Sequence, residues 1–95
     1  MKEKINAAIK KYAEQYGIPP GLIKAIIEVE SSGNPFAMRY EDHYRWLVEP
    51  FSQFHWHAET EKQAQKTSWG LMQIMGAVAR ERGFKSSYLS ELSKP

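Results

Sequence analysis

Cysteine is absent from this 95-residue chain, which excludes disulfide scaffolds, thiolate zinc sites and cysteine nucleophiles. The chain also lacks a strong charge of either sign, because 13 Lys and Arg stand against 11 Asp and Glu, giving a formal net charge of +2. That balance does not indicate a nucleic-acid partner, which requires clustered basic residues. No Gly-rich phosphate loop and no Ser-His-Asp arrangement occurs, and no cofactor is predicted.

Long apolar runs are missing as well. Residues 1–17 mix Lys and Glu with isolated apolar residues, which predicts neither a secretory signal nor a membrane anchor. No other segment approaches membrane length, so no membrane span is predicted, and there is no internal repeat. With 42% hydrophobic and 25% charged residues, the composition is that of a globular protein. We expect residues 1–95 to form a single domain.

Apolar residues recur at helical spacing in three segments. This periodicity predicts amphipathic helices over 2–16, 20–30 and 69–82. Residues that end helices or form turns stand between and after these segments, namely Gly17, Pro19, Pro20, Gly33, Pro35 and Gly83. A last short turn is predicted after Ser86 and Ser87, which could cap it. The predicted fold class is therefore mainly α.

The stretch 36–66 has no clear periodicity and holds seven of the twelve aromatic residues. We predict a short helix over 40–48, broken by Pro50. Residues 58–66 are polar and are either helical or loose. A small β-hairpin within 36–66 stays open as an alternative.

Two acidic residues lie near the end of the second predicted helix, and they are not equivalent. At about 100° per residue, Glu30 lies about 20° from Ile23 and about 40° from Ile26, which predicts that it faces the apolar stripe. Glu28 follows Lys24 by four residues and is expected to pair with it in solvent. Burial of Glu30 and the negative end of the helix dipole would both favour its neutral acid, as a general acid requires. The alternative is that Glu30 only marks where the helix enters water.

Residues 30–35, Glu-Ser-Ser-Gly-Asn-Pro, precede a second run over 68–75, Ser-Trp-Gly-Leu-Met-Gln-Ile-Met. In this order they resemble the two leading motifs of the soluble lytic murein transglycosylases, lysozyme-like enzymes that cut peptidoglycan glycan strands. The segment 16–23 is similar to the family's approach to its catalytic helix. The resemblance covers about residues 10–84, interrupted by 36–66. It implies a lysozyme-like helical lobe and peptidoglycan as the partner.

The resemblance also implies a mechanism with a single carboxyl group. Glu30, at the position of the family's catalytic Glu, would protonate the oxygen between N-acetylmuramic acid and N-acetylglucosamine. The carboxylate would then take a proton from the muramoyl 6-hydroxyl, which closes on C1 to give a 1,6-anhydro product. No water is consumed, so the second carboxylate of two-acid glycosidases is unnecessary. A muramidase that hydrolyses the same bond remains an alternative, as does a non-catalytic cell-wall-binding or assembly module.

Substrate-binding residues are implied by the same motifs. The serine beside the acid carries a hydroxyl that can steady sugar or carboxyl groups, and the glycine of the second motif lets the chain approach the cleft. The methionine and glutamine of that motif line the sugar sites in the family. Aromatic rings can stack on sugars, although most rings in so short a chain should be core. The expected set is Ser31, Gly70, Met72, Gln73, Tyr44, Trp46 and Trp69.

Three histidines invite a metal site, but the spacing argues against one. His55 and His57 lack the i, i+4 separation of helical zinc ligands, and no third ligand has a defined position near them. Packed or surface imidazoles are the favoured interpretation for these two and for His43. We therefore predict no metal.

The sequence departs from the family in two respects. Gly76 stands where the family usually has proline, which we expect to loosen the helix that follows. The chain also ends at Pro95, before the family's later motifs, so we expect it to be the N-terminal portion of the family domain. Exposed apolar surface should then lie where later helices would pack, and copies of the chain could associate through it.

The route to the cell wall is a separate question. The segment 39–46 is similar to inserts in phage-associated members of the family, which favours a phage or bacterial origin. Action on peptidoglycan takes place in the periplasm, outside the cell or from a virion. Because no signal peptide is predicted, the chain would need lysis, a virion or a larger parent protein to reach it.

Overall fold

The structure, a computed structural model, describes residues 2–93. Four α-helices and three short strands follow in the order α1 (Lys2–Tyr16), α2 (Pro20–Ser31), β1 (Met38–Tyr40), α3 (Ala58–Gln65), β2 (Thr67–Trp69), β3 (Ile74–Met75) and α4 (Gly76–Glu81). Two 3₁₀ helices cover Phe51–Gln53 and Leu89–Ser93. Among residues 2–93, many more residues lie in helices than in strands, so the predicted mainly α class is confirmed.

The first two helices form where the periodicity predicts them, and α2 is one residue longer than expected. Pro20 occupies the first position of α2, where its missing N–H would have had no helical partner. The two helices pack through a buried cluster of Ile5, Ile9 and Ile27, with Leu71 partly buried against it. Burial of these apolar groups stabilises the pair.

The helix predicted over 69–82 is wrong in its first half. Residues 67–69 and 74–75 are the antiparallel strands β2 and β3, and only 76–81 are helical. The cause lies in the connecting turn, where Gly70 has a φ of 77° and Gln73 a φ of 51°. These left-handed conformations cannot continue a right-handed helix.

The short helix predicted over 40–48 is also wrong. Tyr40 ends β1, which pairs with β2 in the register Met38 to Trp69 and Tyr40 to Thr67. A strand therefore does form within 36–66, but its partner lies outside that stretch, so no hairpin closes there. The helical alternative for 58–66 is confirmed by α3.

A buried ion pair joins α3 to α4. The Arg80 guanidinium donates from Nε and Nη2 to the Glu61 carboxylate, at 2.9 and 2.8 Å, and the two side chains are 0% and 1% exposed. Gln65 also donates to this carboxylate, at 2.9 Å, and exchanges two further hydrogen bonds with the backbone of Val48. The loop before α3 is thereby fixed to the second half of the fold.

Gly76 begins α4 at a point of very close approach to α3. A Cβ there would meet the Ala64 carbonyl oxygen, and it would lie 2.9 Å from the Gln65 Cα and 2.9 Å from the Leu89 side chain. This glycine permits tight packing between α3 and α4, and its expected loosening of the helix stays a prediction. Proline, which also carries a Cβ, would not fit this approach.

Candidate active site

The C-terminal end of α2 is joined directly to the turn between β2 and β3. The Ser31 hydroxyl lies 2.7 Å from the Leu71 carbonyl oxygen and 3.0 Å from the Ile27 carbonyl oxygen of its own helix. Ser31 and Leu71 are 40 residues apart in sequence. The two motifs singled out in the sequence therefore meet in space, through a serine hydroxyl that donates to backbone.

Glu30 is exposed, and the prediction of a dry carboxyl is wrong for this chain. Ile27 is buried, and Ile23, Ile26 and Ser31 are partly buried. Glu30 lies about 20° from Ile23 and about 40° from Ile26 around the helix, so it shares their side but is exposed one residue before α2 ends. The carboxyl stands at the open end of α2, beside the junction that Ser31 makes, where a large substrate could reach it.

Two of the expected binding residues shape the turn. Gly70 donates its N–H to the Ala37 carbonyl oxygen at 2.9 Å, and a Cβ at Gly70 would lie 2.6 Å from the Leu92 carbonyl oxygen. The Gln73 amide donates to the carbonyl oxygens of Ala37, at 3.0 Å, and Gly70, at 2.8 Å. Both donors of the Gln73 amide thus hold the turn, and its carbonyl oxygen is the part that can accept a hydrogen bond from a ligand.

Trp69 and Met72 line an apolar cavity of about 330 Å³ between the turn and the first two helices. The Trp69 indole N–H donates to the Ala64 carbonyl oxygen at 3.0 Å, so the ring is anchored at its polar edge. Tyr12 and Tyr16 contribute from α1, with their rings stacked at 6.5 Å. A second cavity, of about 570 Å³, lies between α1 and α2 and includes residues on both sides of Glu30 in sequence: Glu28, Ser32 and Gly33.

Tyr44 and Trp46 come together, but on a different part of the surface. Their rings meet edge to face at 5.8 Å, and the Arg45 guanidinium lies 5.0 Å from the centre of the Trp46 ring. Trp46 is 67% exposed. Two hydrogen bonds attach the loop that carries them to the end of α3. The Val48 N–H donates to the Gln65 side chain, and the Glu41 N–H donates to the carbonyl oxygen of Lys66, the residue after α3. None of these contacts reaches the end of α2.

Tyr40 is the titratable group in this region whose pKa is perturbed. Desolvation, followed by the charge of Asp42 and a hydrogen bond to it, raises the pKa of Tyr40 above its ordinary value of 10.0. The phenol is therefore protonated at neutral pH and acts as a donor. The neighbouring Arg39–Glu41 ion pair, at 3.1 Å, is exposed and should contribute little stability.

The other carboxylates and the histidines complete the chemical inventory. Glu61 is committed to the buried pair with Arg80 and is closed to a substrate. Within residues 2–93 no group of three or more His, Asp or Glu side chains is placed to hold a metal ion. His57 caps α3 by accepting a hydrogen bond from the N–H of Thr60 at 3.3 Å. His55 is buried, so both histidines contribute to the fold.

Two features of this region have no simple signal in the sequence. The Ala37 carbonyl oxygen accepts from both Gly70 and Gln73, but backbone acceptors carry no residue signature. The Glu61–Arg80 pair spans 19 residues with no periodic spacing to reveal it. Sequence reasoning missed both.

The last turn of α2 thus carries an exposed glutamate, and the serine after it is hydrogen-bonded to a Gly-x-x-Gln turn. The sequence profile described as the transglycosylase SLT domain matches residues 7–95 of this chain. The chain therefore belongs to the SLT transglycosylase domain family, and the resemblance drawn from the two motifs is confirmed.

Individual relatives match over a shorter stretch. The chain is 53% identical over 32 residues to proteins named membrane-bound lytic murein transglycosylase C from Actinobacillus pleuropneumoniae, serotype 5b (strain L20) and serotype 3 (strain JL03). Each match covers 34% of this chain and 9% of the relative. No solved structure matches significantly. Across residues 2–93, no helix is both long enough and apolar enough to cross a membrane.

Proposed function

We propose that this domain cleaves the glycan strands of peptidoglycan as a lytic transglycosylase, with Glu30 as its acid and then its base. Family membership supports the reaction class, and the Ser31–Leu71 bond is the observation that supports the site. That bond brings the acid-bearing end of α2 against the Gly-x-x-Gln turn. Glu30 is exposed beside this junction, which suits a polymeric substrate.

The chemistry needs two successive proton transfers at one carboxyl group. The Glu30 carboxyl donates its proton to the glycosidic oxygen between N-acetylmuramic acid and N-acetylglucosamine as the bond to C1 breaks. The resulting carboxylate then accepts the proton of the muramoyl 6-hydroxyl, whose oxygen bonds to C1 and closes a 1,6-anhydro ring. A bound glycan strand covers the carboxyl and supplies the low-dielectric surroundings that the free chain lacks.

The remaining expected residues divide into two roles. Ser31 and Gly70 position the acid and the turn through backbone contacts, and the Gln73 carbonyl oxygen accepts from an N-acetyl N–H. Met72 and Trp69 form an apolar wall beside the turn. The Tyr44 and Trp46 pair offers a stacking surface for a more distant part of the strand.

The decisive experiment is Glu30→Gln, which keeps the shape of the side chain and removes the acid. We expect clearing of a peptidoglycan suspension to slow by about a hundredfold or more, while binding to the same polymer is retained. Glu28→Gln is the matched control, because it makes the same change two residues earlier on the same helix, and it should clear the suspension at the wild-type rate. Equal clearing by the wild type and Glu30→Gln would end the proposal.

The product identifies the reaction within the enzyme class. Mass spectrometry of the soluble fragments should show anhydro-muramoyl ends, each lighter than a hydrolysed end by about one water, because the ring closes without consuming water. Hydrolysed ends would favour the muramidase alternative and leave Glu30 as the acid. Binding without any cleavage would favour the non-catalytic cell-wall module.

Three wider expectations accompany this proposal. The domain acts on the cell wall, from the periplasm, from outside the cell or from a virion. A phage-associated origin and degradation of the wall as the biological outcome remain predictions. Self-association is also a prediction, supported by exposed apolar side chains on the first two helices that include Tyr16, Leu22 and Val29.

A further inference from the structure

An exposed aromatic cluster of residues 55–57 precedes α3. Trp56 is 82% exposed, and its ring stacks on His55 with centroids 5.4 Å apart and planes at 24°. The His57 ring meets the same indole edge-on at 5.6 Å. His55 is itself buried and packs edge to face against Tyr88 at 5.0 Å. The His55 ring thus covers one face of the Trp56 ring, and the opposite face is exposed to solvent.

Hydrogen bonds to the backbone hold this cluster in place. The Nδ1 atom of His55 accepts from the His57 N–H at 3.0 Å, and the Nδ1 atom of His57 accepts from the Thr60 N–H at 3.3 Å. In a neutral imidazole that accepts at Nδ1, the hydrogen resides on Nε2. The exposed His57 ring therefore presents an N–H donor beside the Trp56 indole. These bonds restrict the imidazole rings on either side of Trp56, which lowers the ordering that a ligand must impose there.

The surroundings indicate what kind of ligand fits. Apart from the small Ala58, the exposed residues of α3 beside the cluster are polar, and Gln63 donates to Glu59 across one helical turn at 2.9 Å. A stable protein partner would need about 800 Å² of complementary surface on each side, far more than one indole face provides. A pyranose ring has an apolar C–H face of about the size of an indole and hydroxyl groups around its edge. That combination suits one aromatic face with a donor beside it.

We propose that Trp56 and His57 form a second glycan-binding site, distinct from the site at Glu30, which takes a pyranose unit of an N-acetylated β-1,4-linked strand. This proposal rests on the proposed function for the identity of the polymer. The described ring contacts and hydrogen bonds of residues 55–57 reach Thr60 and Tyr88, and none of them reaches α2 or the turn at 70–73. The second site holds the polymer while the acid acts on another part of the strand.

Co-sedimentation with purified, insoluble peptidoglycan sacculi tests the site, with all proteins in the Glu30→Gln background so that the polymer stays intact. Adding Trp56→Ala should weaken binding by about fivefold to tenfold, the loss expected for one aromatic stacking contact. Trp56→Phe keeps a ring and should retain most of the affinity. Leu22→Ala removes another exposed apolar side chain and should bind as the background does.

Circular dichroism and thermal melting of each variant confirm that the fold is retained, which is expected because Trp56 is so exposed. Unchanged binding by Trp56→Ala, or an equal loss with Leu22→Ala, would overturn the proposal. These results do not depend on cleavage. Should Glu30→Gln turn out as active as the wild type, the proposed function would fail, while the comparison of Trp56→Ala with Leu22→Ala, made at equal cleavage, would still decide this site.

A soluble probe gives a second, independent readout. Titration with hexa-N-acetylchitohexaose should shift the indole N–H resonance of Trp56, assigned through its disappearance in Trp56→Phe. The Trp69 indole belongs to the proposed site beside the turn, so its resonance reports separately on binding there. A Trp56 resonance that stays in place at the highest concentration of the oligosaccharide would contradict the proposal.

Discussion

The geometry of the candidate site depends on a single side-chain group, the hydroxyl of Ser31. It donates to the Leu71 carbonyl oxygen, and no other described hydrogen bond links α2 to the turn between β2 and β3. Its position follows from the helix, because residues 23, 27 and 31 share one face and that face turns inward. Glu30, the residue before Ser31, is exposed in the last turn of the same helix.

Replacement of Ser31 by alanine should therefore affect both stability and cleavage. The Leu71 carbonyl oxygen loses its donor, and we expect the free energy of unfolding to fall by about 1–3 kcal/mol. Cleavage should slow by about tenfold or more, because the turn shifts relative to the acid. Urea denaturation and turbidity clearing measure the two effects. Ser87→Ala, at an exposed position, is the control, and an equal effect there would refute the positioning role.

Gly70 makes a second prediction at this scale. Its left-handed backbone and its proximity to the Leu92 carbonyl oxygen both oppose a side chain, so Gly70→Ala should destabilise the fold by about 3 kcal/mol. Gly33 has a similar φ of 81° with open space around it, so Gly33→Ala should cost only about 1 kcal/mol. Comparison of the two unfolding midpoints separates crowding from backbone strain. Equal midpoints would show that Leu92 yields without cost.

At the scale of the elements, the spacing of apolar residues predicted the helices that are stabilised mainly by local interactions. α1 and α2 are continuous amphipathic helices and appear where the spacing places them. The turn at 70–73 could not be found in this way, because the left-handed conformation of Gln73 is supported by the Ala37 carbonyl, 36 residues earlier in the chain. Helical spacing in that segment is coincidental, since tertiary pairing overrides it.

The contact between α3 and α4 also escaped sequence reasoning, and Gly76 tests it. Gly76→Ala should lower the free energy of unfolding by about 1–3 kcal/mol, because the added methyl group has no space between the helices. Gly21→Ala is the matched control on α2, where a Cβ meets nothing within 4 Å, and it should be neutral or stabilising by up to about 1 kcal/mol. The two changes should have opposite signs in chemical denaturation. A neutral Gly76→Ala would mean that α3 moves away freely.

At the scale of the whole molecule, the described chain has two regions of different character. The first two helices pack through isoleucines, whereas the second half is organised around a buried and fully paired arginine. Arg80 also donates to the carbonyl oxygens of Phe84 and Ser86, and its guanidinium lies 4.4 Å from the centre of the Phe54 ring. Such a group is costly to bury and still more costly to leave without its partner.

Glu61→Ala should therefore destabilise the domain by about 3–5 kcal/mol, since it leaves the Arg80 charge unpaired in the interior. Glu59→Ala, an exposed glutamate on the same helix, should change stability by about 0.5 kcal/mol or less. Thermal and urea unfolding of both variants checks the difference. The double variant Glu61→Leu, Arg80→Met should recover much of the lost stability. If it does not, the fold requires the charged pair itself.

The chain leaves the small sheet at Tyr40 and returns at Thr67, and these two residues face each other across paired strands. An insertion or deletion in the exposed part of the loop between β1 and α3 lies between these two paired residues, so the register of the sheet need not change. The surface of that loop can therefore vary while the end of α2 and the turn at 70–73 keep their relative position.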